Sequence, residues 1–289
     1  MYTVGAILPV KKEKTIHDVL ETYPWVYDYL AKEYQEDKEI AMTAVNNGYD
    51  FFELPEHFQT DKDVILKAVE WDGDILENMD ESYLEDRDIC LLAAKGYPDF
   101  FEELPEHFQE DREFVLDCIK ANCFIYEHIN DSLQADDEII QTALTNGLWL
   151  ESIANADGLE EAKKLSILNN RDIVLHALEQ FDGEQFRYAG PDLRADKELI
   201  LLAVKKGFHD VATLADTLRM DSEFMLQLIE INEEVFATMA LLTRKDSKGY
   251  PKLSASYFCP VDVEFCKKAY AINKKTFKYM SKEMKQIVK

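Results

Sequence analysis

Apolar side chains recur along this chain at intervals that fit one face of a short helix, and the pattern restarts about every 25 residues. Each restart opens on an acid or Asn, at Asp37, Asp61, Asp86, Asp111, Asp136, Asn170, Asp196, Asp221 and Asp262, with a degenerate opening unit near Glu13. Counted from the opening residue, apolar side chains fall at offsets 3, 4, 7 and 8, as in Val64, Ile65, Ala68 and Val69 or Leu199, Ile200, Ala203 and Val204. This is the stripe of an amphipathic helix. The opening Asp or Asn suits the N-cap, where a side-chain oxygen accepts a hydrogen bond from an otherwise unpaired backbone N–H. An acid two residues later, such as Asp63 or Glu198, falls in the first turn, where the helix dipole favours negative charge.

Offset 7 is almost always small: Ala44, Ala68, Ala93, Cys118, Ala143, Ala177, Ala203 and Ala269, with Leu228 the exception. A small residue there lets two helices approach closely. Gly48, Gly73, Gly96, Gly147, Gly183 and Gly207 stand where the helix should stop, which predicts left-handed C′ geometry, and Asn122, Asn232 and Asn273 stand at similar places. A second, shorter helix is predicted after each stop, anchored by residues such as Phe51, Phe52 and Leu54 or Phe100, Phe101 and Leu104, and closed by an aromatic or Leu such as Phe58, Phe108 or Leu133. Helices this short are marginal alone and gain stability by stacking. The pattern predicts an all-α protein, an α-solenoid of about ten two-helix repeats of about 25 residues, curved or superhelical.

The spacings between openings are 24, 25, 25, 25, 34, 26, 25 and 41, so insertions near 155–170 and 243–261 interrupt the array. We divide the chain into an N-terminal cap with a degenerate repeat (1–36), acidic repeats (37–160), a second block of repeats (161–243), and a basic loop with a capping repeat (244–289). A longer period also shows: the string Asp50 to Gln59, DFFELPEHFQ, recurs almost intact between Asp99 and Gln109. Pairs of units therefore look duplicated together. The strings Asp61 to Val69, DKDVILKAV, and Asp196 to Val204, DKELILLAV, resemble the domain-of-unknown-function family numbered four-one-one-six, whose double units of about 49 residues hold two copies of this pattern. The resemblance covers roughly 37–242 and departs at Asn170, which replaces a capping Asp, and at both insertions. It implies helical repeats and carries over no catalytic residue.

Composition adds one strong feature, the net charge of −25. Residues 1–160 hold 11 Lys and Arg against 38 Asp and Glu, whereas residues 244–289 hold 12 against 4. Such polarity bears on association rather than on fold. Five Cys, an odd number with no Cys-x-x-Cys spacing, suggest neither a disulfide framework nor zinc, and fit a reducing compartment: the cytoplasm of the protein's own cell or, if delivered, of a host. The short apolar stretch Val4 to Val10 is not read as a signal peptide, and no apolar run approaches the length of a membrane span.

Glu56-His57 and Glu106-His107 are the most tempting chemistry, being repeated and set among acids. A metal site would want His at i, i+4 or a Cys/His cluster, so these are read as turn residues or a shared recognition ridge, and no metal or cofactor is expected. The candidate partner-binding residues are Asp50, Glu53, Glu56, His57, Asp99, Glu102, Glu103, Glu106 and His107. Arg244, Lys245, Lys248 and Lys252 form a candidate basic loop. No Gly-rich phosphate loop or nucleophile elbow occurs, so a catalytic reading has little support. The expectation is a non-catalytic interaction protein whose acidic repeats bind a basic protein surface, in its sharpest form by mimicking nucleic acid and so inhibiting a host or defence enzyme. The alternative is an enzyme or toxin with its site in the C-terminal region or the insertions. Self-association of acidic front with basic tail is a further option. The overall charge opposes direct nucleic-acid binding.

Overall fold

The computed structural model describes residues 14–242 and 262–288, and every secondary-structure element among them is helical. Ten long α-helices recur, one per predicted opening: α1 (Lys14–Thr22), α2 (Lys38–Val45), α3 (Lys62–Trp71), α4 (Arg87–Gly96), α5 (Arg112–Ala121), α6 (Asp137–Thr145), α7 (Arg171–Gln180), α8 (Lys197–Lys205), α9 (Ser222–Ile231) and α10 (Val263–Ile272). All nine predicted caps, from Asp37 to Asp262, accept a hydrogen bond from the backbone N–H two or three residues on. Asn170 caps α7 as the aspartates cap the others, because an amide oxygen accepts as well as a carboxylate oxygen.

The offset-7 residue is buried in all nine of these repeats, between 0% and 4% exposed. Its carbonyl also closes the helix. The N–H of Asp72, Tyr97, Asn122, Phe181, Asn232 or Asn273 bonds to it directly in six repeats, and that of Tyr49, Leu148 or Phe208 after a glycine in three. Only the glycine exits use left-handed backbone: Gly48, Gly147 and Gly207 have φ of 94°, 98° and 107°. The expectation fails for Gly73, Gly96 and Gly183. Gly73 and Gly183 open the following 3-10 helix after the caps Asp72 and Asp182, and Gly96 is still inside α4. Gly183 is required by close approach instead, since a Cβ there would collide with the backbone oxygen of Ala203.

The second half of most repeats is a 3-10 helix followed by a short helical turn, for example Phe51–Glu53 then Glu56–Gln59, whereas Leu150–Asn155 and Glu234–Leu242 are α-helices in the same place. We term this half the B segment. It packs between successive long helices: Gly73–Asn78 touches α3 and α4, Cys123–Glu127 touches α5 and α6, and Gly183–Tyr188 touches α7 and α8. A closing glutamine fastens several B segments. Gln59 Nε2 donates to the carbonyls of Phe52 and Leu54, and Gln109 Nε2 to those of Glu102 and Leu104. Gln134 and Tyr126 exchange hydrogen bonds with each other's carbonyl, as Gln35 and Tyr27 do.

The chain forms two compact units, Met1–Leu148 and Trp149–Lys289. In the first, each long helix from α1 to α6 touches the next. In the second, α7, α8, α9 and α10 do the same. The first insertion is not a loop. Glu161–Leu168 is a helix that packs on Leu150–Asn155 and on α7, and its end is tied to the turn at 190–192 through Gly190 N–H to Leu168 O and Asp192 N–H to Asn169 Oδ1. The second insertion, with Arg244, Lys245, Lys248 and Lys252, lies outside the described residues.

Candidate functional site: an acidic layer of B segments

The charges of the first unit divide between the two halves of its repeats. Within residues 37–148 all seven Lys and Arg lie on long helices: Lys38, Lys62, Lys67, Arg87, Lys95, Arg112 and Lys120. Six of them pair with acids on long helices or their caps. Where a base follows the cap, it reaches to the next repeat. Lys38 Nζ lies 2.8 Å from Asp61 and 2.6 Å from Asp63, and Lys62 lies 2.8 Å from Asp86 and 2.9 Å from Asp88. Arg112 spans Asp136 and Glu138 at 2.9 and 2.7 Å. The second unit repeats the rung with Arg171 on Asp196 and Glu198 and with Lys197 on Asp221. Arg87 deviates, since it pairs with Asp117 and covers the Phe114 ring.

These rungs explain the acid-base-acid opening. The hydrogen bond from Lys38 holds the Asp61 carboxyl below its ordinary range, and Arg112 does the same to Asp136. At Asp86, burial pulls upward but is outweighed by Lys62 and the cap N–H groups.

The B segments carry no such compensation. Residues 48–60, 72–85, 97–110 and 122–135 together hold 16 Asp and Glu and no Lys or Arg. The corresponding segments 181–195 and 207–220 of the second unit hold five acids and three bases, so the imbalance belongs to the first unit. Some of these acids are caps: Asp50 takes the N–H of Phe52, Asp72 that of Asp74, and Asp80 that of Ser82. All nine predicted partner-binding residues lie in this layer and all are exposed.

The two copies of the duplicated string show the same alternation. Phe51, Leu54 and Phe58 are buried while Phe52, Glu53, Glu56 and His57 face outward. Phe101, Leu104 and Phe108 are buried while Glu102, Glu103, Glu106 and His107 face outward. Phe and Leu serve packing, Gln serves closure, and Glu and His are left for the surface.

Three histidines are the only side chains of these segments that can become cationic, and each faces a carboxylate of the preceding repeat. His57 lies 3.5 Å from Glu36, His107 lies 3.7 Å from Glu85, and His128 Nδ1 lies 2.7 Å from Glu102. The His128–Glu102 pair is closest and was not singled out by the sequence, because its members stand 26 residues apart. No group of three or more His, Cys, Asp or Glu among the described residues could hold a metal ion. Cys90 and Cys118 are buried, and that burial pushes both thiols up to about 12.

Comparison with known proteins fits this build. The family model of a domain of unknown function, DUF4116, matches the chain three times, at residues 61–109, 111–155 and 170–209. These are DUF4116 repeats. Each match starts at a capping residue, and each of the first two spans about two of the 25-residue structural units, so the DUF4116 double unit is two long helices with their B segments. No curated protein and no solved structure matches the chain. No helix among the described residues is long and apolar enough to cross a membrane.

Proposed function

We propose that this protein is a non-catalytic interaction protein whose acidic B layer binds a basic surface on a partner protein. One observation carries the reading: within residues 37–148 all seven Lys and Arg lie on the long helices, where they partly offset the 13 acids of those helices and their caps, and the B segments hold 16 acids without a single Lys or Arg among them. A fold that needed those acids only as caps or dipole partners would keep them at helix starts. Glu77 and Glu103 lie instead toward the ends of their 3-10 helices, outside the first turn, and their charge is spent on the surface field. Such a field raises the association rate of a basic partner and weakens steeply with salt.

The absence of interspersed cations also supports the sharper form, mimicry of a nucleic-acid backbone presented to a protein that normally binds one. Residence in the cytoplasm, of the producing cell or of a host, belongs to the same proposal.

The test is capture on the immobilised full chain, at low and at high salt, beside a variant in which Asp99, Glu102, Glu103 and Glu106 become amides. A basic protein retained by the first, released by salt and missed by the second supports the reading. Displacement of that protein from DNA or RNA by the full chain supports mimicry. A partner retained equally by both chains and at high salt overturns the electrostatic account.

A further inference from the structure

Two grooves, one in each unit, are built to the same plan. In the first unit, Trp71 at the end of α3 is followed by Asp72-Gly73-Asp74 and faces Asp50 and Phe52 of the preceding B segment, enclosing about 300 Å³. In the second, Phe181 just beyond α7 is followed by Asp182-Gly183-Glu184 and faces Trp149 and Glu151 of the preceding B segment, enclosing about 410 Å³. Each position thus places an aromatic ring beside an acid-Gly-acid turn, opposite a second aromatic and a further acid. Trp71 is 53% exposed and Trp149 42% exposed, unusual for the largest apolar side chain in a chain with ample core to bury it. The Trp71 ring packs against Gly48, another residue of the groove, and leaves no room for a Cβ there without tight contact. Trp149 meets Phe181 edge to face at 6.4 Å between centroids.

The charges around the rings have one sign in the first groove: Asp50, Asp72 and Asp74, with no base in its lining. The second groove has Glu151, Asp182 and Glu184 against Arg187, which is itself engaged by Glu184 at 2.9 Å. The Tyr188 hydroxyl donates to Glu151 and closes its wall.

We propose that each groove receives an arginine side chain of a basic partner segment. The π-face of an indole or phenyl ring attracts a cation. A planar guanidinium can stack on that face and still offer N–H donors to the carboxylates at its edge, which a compact, strongly hydrated ammonium does less well. The inference deepens the reading of a basic partner and rests on it for biological meaning, but it can fail separately, because Asp99, Glu102, Glu103 and Glu106 lie outside both grooves.

The experiment is an NMR titration of the full chain that follows the three indole N–H signals, assigned by single Trp→Phe variants. N-acetyl-arginine amide is the probe, with the lysine amide and the neutral citrulline amide beside it. The Trp71 and Trp149 signals are expected to move saturably with the arginine probe, the Trp25 signal to stay, and citrulline to be silent. Asp72→Asn with Asp74→Asn, which keeps the cap at position 72, should weaken the Trp71 response by about tenfold and leave that of Trp149 unchanged. An equal response to citrulline, movement of all three indoles together, or no movement of Trp71 and Trp149 overturns the proposal. A response to lysine as strong as to arginine overturns the assignment to guanidinium.

Discussion

Arg112 grips both carboxylate oxygens of Asp136, with Nε 2.9 Å from Oδ2 and Nη2 3.0 Å from Oδ1, while that same Oδ1 accepts the N–H groups of Glu138 and Ile139. One side chain therefore starts helix α6 and ties it to the previous repeat. Asn in its place keeps the cap and loses the charge, whereas Ala loses both. Asp136→Ala should lower unfolding free energy by about 1–2 kcal/mol and Asp136→Asn by less than about 1 kcal/mol, measured by denaturant titration. Equal losses would mean that the fork, not the cap, carries the stability.

The rungs set an acid limit. Asp61, Asp117, Asp136 and Asp221 lie below the ordinary carboxyl value of 3.8 because of the base that each one meets. At Asp196, burial works upward and is outweighed by the Leu199 N–H and Arg171. A carboxyl whose folded value is depressed contributes stability that is present above its unfolded value and lost as pH falls through the folded one. The melting temperature should therefore hold from neutral pH to about 5 and fall progressively below about 4. Thermal melts across that range check this, and a decline beginning at neutral pH would contradict it.

Much of the fold is legible in the sequence because the signals are local. A cap and its N–H donors are two or three residues apart, and Ala at offset 7 repeats on one helical face, so Asp37 to Asp262 mark the helix starts directly. The rung is not legible. Lys62 and Asp86 are 24 residues apart, and only stacking brings them together, so Lys62 looks like any surface base. The same distance hides His128–Glu102. Gly73 and Gly183 mislead for a different reason: Asp72 and Phe181 already end the helix by bonding to Ala68 and Ala177, which frees the glycine for the next element. The acidic layer is written in the sequence, but counting charge along the chain blurs it. It sharpens once helix limits separate Lys38, Lys62 and Arg112 from Glu53, Glu56 and Glu106.

Two glycines make a matched pair. Gly207 has φ of 107° with open space around it, so Gly207→Ala strains only the backbone and should cost about 1–2 kcal/mol. Gly96 lies in α4 without left-handed backbone, and a methyl group added to it would meet open space, so Gly96→Ala should raise stability by about 0.5–1 kcal/mol. Denaturant midpoints of the two variants would settle the sign of each.

The thiols should be inert in the folded chain. Cys90, Cys118, Cys123 and Cys266 are buried, and burial raises all four, Cys266 to about 11. A Cys259→Ser chain should therefore react with a thiol reagent at neutral pH only as fast as it unfolds. Rapid labelling without denaturant would show that the repeats open locally.

The central claim is that the carboxylates of the B segments, and not those of the long helices, are available to a basic partner. The direct measurement is the affinity of the full chain for a basic protein such as a polyarginine-tagged carrier at about 20 mM and about 300 mM salt. Two variants are compared: Glu53→Gln, Glu56→Gln, Glu102→Gln and Glu106→Gln in the B layer, and Asp63→Asn, Asp88→Asn, Asp117→Asn and Glu138→Gln on the long helices. The account predicts that the first variant loses most of the low-salt affinity and of the salt dependence, while the second, which removes the same charge from residues already engaged by Lys and Arg, loses little. Equal losses from the two variants would contradict it.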